Sequence, residues 1–547
     1  MIDDLVPGKD TAPPQVDTLI CQVDHIVRHP YALFGFGWAL DPAGTIIHAS
    51  LALHDADGGI DKVQVSTGRA REDVAMVFPA HPQAAHSGFM LMAGWGNTPP
   101  SKVELIFELS DGQVIRRDLG TTVSESVPRA GVSEHRYLLK RAWAYLRRGK
   151  LGHLLYKSIR YGRRNPRLRS SDEIAIAAKV AGRRCRLLID HSMGGGANLF
   201  RETLVSEWLA QGDTVILLSF RMASMTTFVE VRDRKGSMIS SLTRLDLLKA
   251  IIESARVVQI FFNCGVSFPR PQQLQQLLLD IKRQTGAELV IAMHEYFLIC
   301  PSQFLLNSSG AFCGVPSLSE CDTCLRSHED GFVSLTGERS VESWRALWSR
   351  LLDAADEIRC FSESSRRLLK RAYPNLRREP ALCPHQVEPL RTVRSTRAEQ
   401  PELTVGVIGA ISHHKGAAIV SGLADAIVKA GAAIRIVVIG NIDASCPASV
   451  VKQTGPYSQD DLPKIVEKNR INIALFPSIC PETFSFVAHE IVSMGLPLMC
   501  LDLGAQADLA RSQPIGRVSL RQDGPGLLEE IIAFDRQLHP LSLKVLS

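Results

Sequence analysis

Residues 475–497 read LFPSICPETFSFVAHEIVSMGLP. The apolar run that ends at Pro477 reads as a strand, and the apolar residues around His489 read as a helix after a short polar turn. Glu482 stands at the mouth of that helix, with Glu490 eight positions further along. Eight residues are a little over two turns, so the carboxylates lie within about 80° of each other around the axis but roughly 12 Å apart along it. A glycosidase pair needs carboxyls facing each other across one bond, which this spacing does not supply. It suits a long ligand, with backbone N–H groups of Thr483, Phe484 and Ser485 at the helix start for phosphates and the carboxylates for hydroxyls. Glu490 sits beside Ile491 and Val492, which argues against a merely solvated helix face.

Outward from this stretch the chain alternates strands with helices. Upstream lie the strand LTVGVIGA, a helix after KG, the strand IRIVVIG and the helix DDLPKIVEKNR; downstream lies PLMCLDL. An earlier unit repeats the rhythm, with CRLLIDHS, MGGGAN, the helix NLFRETLVSEWLAQG, TVILLSF, VVQIFFN, QQLQQLLLDIKRQTG and ELVIAMHEY. A charged, Pro-containing stretch separates the two. Such alternation gives parallel sheets covered on both faces, with ligands at the carboxyl ends of the strands. The expected fold class is therefore α/β, two Rossmann-like domains facing a cleft. Their ranges are 184–380 and 403–547, with a hinge over 381–402.

Ahead of them, 17–128 reads as an N-terminal antiparallel β-sandwich, because short alternating runs are separated by DPAG, DADGG and SDGQ turns. Residues 1–16 read as a disordered N-terminus. Asp55 and Asp57, a pair that resembles a metal dyad, read as a hairpin tip before Gly58 and Gly59. Trp38 and Trp95 are candidate sugar-stacking residues whose plainer role is core packing. Residues 129–183 read as basic amphipathic linker helices: from Arg136 to Arg169 there are twelve Lys or Arg and no acidic residue. That segment suits peripheral contact with an anionic membrane or packing on the neighbouring domain.

The first glycine loop, Gly194, Gly195 and Gly196, follows a strand and opens a helix, where backbone can approach a ligand closely. Together with the Glu-x7-Glu of PETFSFVAHE, GAISHHKG after a strand, and CPHQVE at the hinge, it makes residues 184–540 resemble a GT-B glycosyltransferase, similar to family 4. The resemblance implies a retaining enzyme with a nucleotide-sugar donor and a saccharide or lipid-linked acceptor in surface polysaccharide biosynthesis. It implies no cofactor for catalysis. By position, Lys415 would contact the donor diphosphate with the amides of Thr483, Phe484 and Ser485, and Glu490 would hold the ribose. Catalytic roles fall to Glu482, facing the transferred sugar, and His294, beside it; Gly195 and Gly196 would close from the other domain. One departure is an arginine that many relatives carry near Ala410 or Ile411, for which a protonated His413 or His414 would be the substitute. The alternatives are a degenerate GT-B glycan-binding or scaffold protein and a GT-B sugar-nucleotide epimerase.

Cysteine usage adds one more candidate. Of the twelve cysteines, Cys185, Cys264, Cys360 and Cys500 lie in apolar runs as small buried hydrophobes. Cys300, Cys313, Cys321 and Cys324 instead cluster in residues 294–325, with a spacing compatible with a structural zinc. The start MIDDLVPGKDTAPPQ lacks the pattern of a signal peptide, and no window approaches a spanning helix. The expected location is cytoplasmic, at the inner face of the cell membrane if the basic segment docks there. A net charge of +5 over 547 residues gives no global polyanion signal, so no nucleic-acid partner is expected.

Overall fold

The computed structural model describes residues 19–44, 46–96, 98–120, 173–242, 244–327, 334–394, 397 and 402–539. The basic segment 136–169 and the N-terminal stretch 1–16 lie outside the described residues.

The amino-terminal part forms two antiparallel four-stranded sheets. One orders its strands Ile20–His29, Ala32–Leu40, Gly88–Gly94 and Ser66–Arg69; the other runs Ile60–Gln64, Ile46–His54, Lys102–Leu109 and Val114–Asp118. Alternating inward residues of both, among them Leu33, Leu91, Leu51 and Phe107, share one core. The opposite face of the first sheet is also apolar, and Ala32, Phe34 and Met92 join the core of the following unit. Asp55 is a hairpin tip: its Oδ1 accepts from the amides of Asp57 and Gly59 at 2.9 and 2.6 Å. Trp95 is buried, donating its indole N–H to the Pro30 carbonyl at 2.7 Å, and Trp38 packs on Phe78.

The sheet of the first α/β unit has eight strands. Parallel strands Thr214–Arg221, Arg184–His191, Arg256–Phe262, Glu288–Ala292, Glu357–Cys360 and Ala381–Leu382 lie side by side in that order. An antiparallel hairpin, Thr226–Asp233 and Gly236–Leu242, extends the Thr214–Arg221 edge. That hairpin is a departure from the uniform alternation read in the sequence. Its strand TTFVEVRD is buried on both faces at Val229 and Glu230, the latter paired to Arg232, so its polar residues hide a strand. The sheet of the second α/β unit is all parallel, in the order Val451–Gln453, Ile434–Ile442, Leu403–Ile411, Ile473–Phe476, Leu498–Leu501 and Gly516–Ser519. Its central strands are continuous runs of Val, Ile and Leu because helices cover both faces. Cys185, Cys264, Cys360 and Cys500 are fully buried in these two α/β units.

Among the described residues no helix is long and apolar enough to cross a membrane.

Candidate functional site

In the second α/β unit, the strand Leu403–Ile411 runs through a short turn, His413–Lys415, into the helix Ala417–Ala430. Gly416 makes this possible: its φ is +86°, and a Cβ there would lie 2.0 Å from the Pro477 carbonyl oxygen. The turn therefore rests against the end of the neighbouring strand, and Lys415 faces the loop after Pro477. Its ammonium forms an ion pair with Glu482. Burial disfavours the charged lysine, yet the Glu482 carboxylate more than offsets it, so the Lys415 pKa is raised. Glu482 is fixed through its backbone: its amide donates to Gln506 Oε1 at 3.0 Å and its carbonyl accepts from the Ala505 amide at 2.9 Å.

The helix after Glu482 begins later than the sequence spacing implies. It spans Phe486–Ser493, with Ser485 as its N-cap, whose Oγ accepts from the Ala488 amide at 3.3 Å. Thr483 and Phe484 thus precede the helix, and the first-turn amides belong to Phe486 and Val487. Glu482 is outside the helix, so the helical estimate of its separation from Glu490 does not apply. The signal for the later start was present, a serine directly before an apolar run. Glu490 is 8% exposed, and burial pushes its carboxyl up to about 7. Tyr457 lies beside it, its own pKa raised by burial and then by the Glu490 charge.

In the first α/β unit, Gly194 and Gly195 adopt φ of +92° and +88° and lead into the helix Gly196–Ala210. Asn198 pins this loop by accepting from the Gly194 amide at 2.7 Å and donating to Asp190 at 2.8 Å. Asp190, His191 and Cys264 have ligand atoms within 4.8 Å of one another, the one such group among the described residues. Their lone pairs are committed, however. Asp190 accepts from the His191 amide, Asn198 and Arg201, and His191 Nδ1 accepts from the Met193 amide at 3.1 Å. With the Arg201 charge 3.0 Å from Asp190, the cluster is a hydrogen-bonded anchor for the glycine loop rather than a cation site. Glu295 completes it: burial raises its carboxyl to about 8, the Cys264 thiol bond pulling down and the Asp190 charge pushing up.

The two α/β units meet at these residues. Thr483 donates its hydroxyl to the His294 carbonyl at 2.7 Å. A Cβ on Gly196 would lie 2.8 Å from the Phe486 ring, so that ring rests on the glycine, whereas Gly195 faces open space. His294 does not stand free in a pocket. Its ring is stacked with Phe361 and His385, at 4.3 and 5.3 Å, with Phe200 at 5.0 Å. His385 in turn contacts Phe484 and Phe486, and Phe484 stacks on His489 at 4.3 Å. Burial lowers the pKa of all three histidines, that of His385 to about 4, and His294 Nε2 has no hydrogen-bond partner. Phe200, Phe361, His385 and Phe486 are contact residues that sequence reasoning missed; the histidine of CPHQVE was the available signal.

His414 stacks on Phe304 at 4.0 Å, and burial, with Lys415 beside it, lowers its pKa to about 3. A neutral His414 does not supply the cation expected in place of the missing arginine. Behind the Glu482 loop, the helices Glu363–Ala372 and Gly504–Arg511 flank a groove of ≈ 410 Å³. Arg367, Arg371 and Arg511 line it; Arg367 and Arg511 pair with Asp508 and Asp502. The four cysteines of the 294–325 segment are free thiols, and no three of them come within 4.8 Å of one another.

No protein family and no curated protein matches the sequence. Solved structures do resemble the fold. Anabaena HepE in complex with UDP and glucose aligns at 14% identity over 65% of this chain and 91% of its own, with a TM-score of 0.41. A glycosyltransferase from Rickettsia africae aligns at 12% identity over 65% and 89%, TM-score 0.42. A putative UDP-N-acetylglucosamine 2-epimerase from Listeria monocytogenes aligns at 8% over 66% and 89%, TM-score 0.33. Likeness at this level neither assigns the chain to a family nor transfers an activity to it.

Proposed function

We propose that the chain is a retaining GT-B glycosyltransferase that moves a sugar from a nucleotide-sugar donor to a saccharide or lipid-linked acceptor. In this reading 184–380 is the acceptor unit, 381–402 the hinge and 403–547 the donor unit. The observation that carries it is the Lys415–Glu482 ion pair at the carboxyl ends of two adjacent parallel strands, Leu403–Ile411 and Ile473–Phe476.

A donor diphosphate entering there draws the Lys415 ammonium from Glu482 and takes the first-turn amides as further donors. Glu482, released, accepts from hydroxyls of the sugar. Glu490, when ionised, accepts from the ribose. As the bond from the anomeric carbon to the diphosphate breaks, its electron pair stays on the phosphate oxygen, and that oxygen takes the proton of the attacking acceptor hydroxyl. The task left to the protein is electrostatic, and fixed donors in a partly buried site perform it well. The arginine-lined groove behind Glu482 suits an anionic acceptor such as a lipid-linked glycan, and the basic 136–169 segment suits an anionic membrane surface.

A panel of nucleotide sugars with membrane acceptors tests the proposal. Turnover that releases nucleoside diphosphate and is lost in Glu482→Ala supports it; no turnover with any donor sinks it. Interconversion of donor epimers with no acceptor consumed would mark an epimerase. The scaffold reading is favoured by one observation, the aromatic stack that encloses His294; glycan binding without nucleotide binding would establish it.

A further inference from the structure

We propose that Cys300, Cys313, Cys321 and Cys324 form a thiolate site for zinc that fastens segment 300–326 against the Lys415 side of the cleft.

The four residues come from three separately held pieces of backbone. Cys300 follows the turn Tyr296–Leu298, its amide donating to the Tyr296 carbonyl at 3.0 Å. Cys313 leaves a small loop closed by the Leu306–Phe312 bridge, with its amide on the Leu305 carbonyl at 2.9 Å. Cys321 and Cys324 lie on the helix Leu318–Arg326, whose start is fixed by a capping box between Ser317 and Glu320. Three residues apart, they share one helix face.

These pieces converge. Cys300 packs against Cys321, Leu325 and Val341, and Cys300 and Cys313 pack on the same larger core. Arg345 donates to the Ile299 carbonyl and places a second guanidinium nitrogen 3.7 Å from Cys321 Sγ, where it favours a thiolate.

The backbone between them is strained for its size. Leu305 and Val315 have φ of +52° and +59°, two of the four non-glycine residues with positive φ among the described residues. A β-branched residue in that region persists where its surroundings over-determine it. The buried side chains of Leu305, Leu306 and Val315 impose part of that constraint, and a four-point cross-link would add to it directly.

A free cysteine thiol carries its proton at neutral pH. Ligation releases four protons to solvent and leaves a site of formal charge −2, which Arg345 partly balances. In a zinc tetrahedron the sulfurs stand roughly 3.8 Å apart. No three are within 4.8 Å here, so binding draws the helix and loop together. The drawn loop carries Phe304, which stacks on His414 next to Lys415.

The test is metal analysis of the full chain purified without chelator, followed by Co²⁺ addition to the reduced, folded protein. The expected result is about one equivalent of zinc and an intense thiolate-to-cobalt charge-transfer band, with Cys324→Ser weakening Co²⁺ binding at least about tenfold. Cys446→Ser, outside the cluster, leaves binding unchanged. Less than about a tenth of an equivalent together with no charge-transfer band would overturn the proposal, as would disulfides among the four in the native protein. Neither readout depends on nucleotide binding, so it stands or falls apart from the transferase reading.

Discussion

Lys415 and Glu482 hold each other in the absence of a ligand, and the two substitutions should therefore part ways. Lys415→Ala removes a charge-assisted partner of the diphosphate and is expected to weaken nucleoside diphosphate binding by about 10- to 100-fold. Glu482→Gln frees the lysine, so binding of the diphosphate is retained or tightened while sugar transfer is lost. Calorimetric titration of both variants beside a turnover assay reads the split. Glu490 adds a pH dependence. With its carboxyl at about 7, it is mostly protonated at pH 6 and mostly ionised at pH 8, and only the ionised form accepts from two ribose hydroxyls. Affinity should rise by up to about tenfold across that interval and flatten in Glu490→Gln. The placement of Lys415 and Glu482 after the strands Leu403–Ile411 and Ile473–Phe476 was legible in the sequence, because both strands could be read, while their roles belong to the proposal. The histidines were less so: whether His294 and His414 are charged depends on rings from distant segments, Phe361 and Phe304, that no local pattern announces.

The elements that meet in the cleft are joined by a few close contacts. A methyl group at residue 196 has to displace the Phe486 ring from 2.8 Å, so Gly196→Ala is expected to cost about 1–3 kcal/mol. Phe486→Ala should relieve most of that cost, and a double-mutant cycle in denaturant would show the coupling. Glu295 gives a second check. Its folded carboxyl titrates near 8 and an unfolded one near 4.3, so between those values the folded state holds a proton the unfolded chain has lost. Stability contributed by Glu295 therefore falls as pH rises from about 4 to about 8. Thermal unfolding from pH 6 to 8.5 should decline less steeply in Glu295→Gln. Element order was largely readable because long runs such as CRLLIDHS and IRIVVIG carry the period of buried strands. The helix Leu318–Arg326 carries the Ser317-x-x-Glu320 capping signature but is short and polar, and the 226–242 hairpin was hidden because its polar residues are satisfied by ion pairs visible only in three dimensions.

Across the molecule, the amino-terminal sheets lean on the first α/β unit through Ala32, Phe34 and Met92, while the two α/β units touch through Thr483, Phe486 and the Phe304–His414 stack. A nucleotide bound at Lys415, as proposed, would therefore act on the junction between units as well as on the site, and should raise the unfolding temperature of both together. In the proposed function the Lys415–Glu482 pair marks a nucleotide-sugar site. Its most direct test is calorimetric titration of the full chain with the diphosphates of uridine, guanosine and thymidine. One-to-one binding of at least one of them is expected, abolished or greatly weakened in Lys415→Ala; no heat with any of the three would rule the site out.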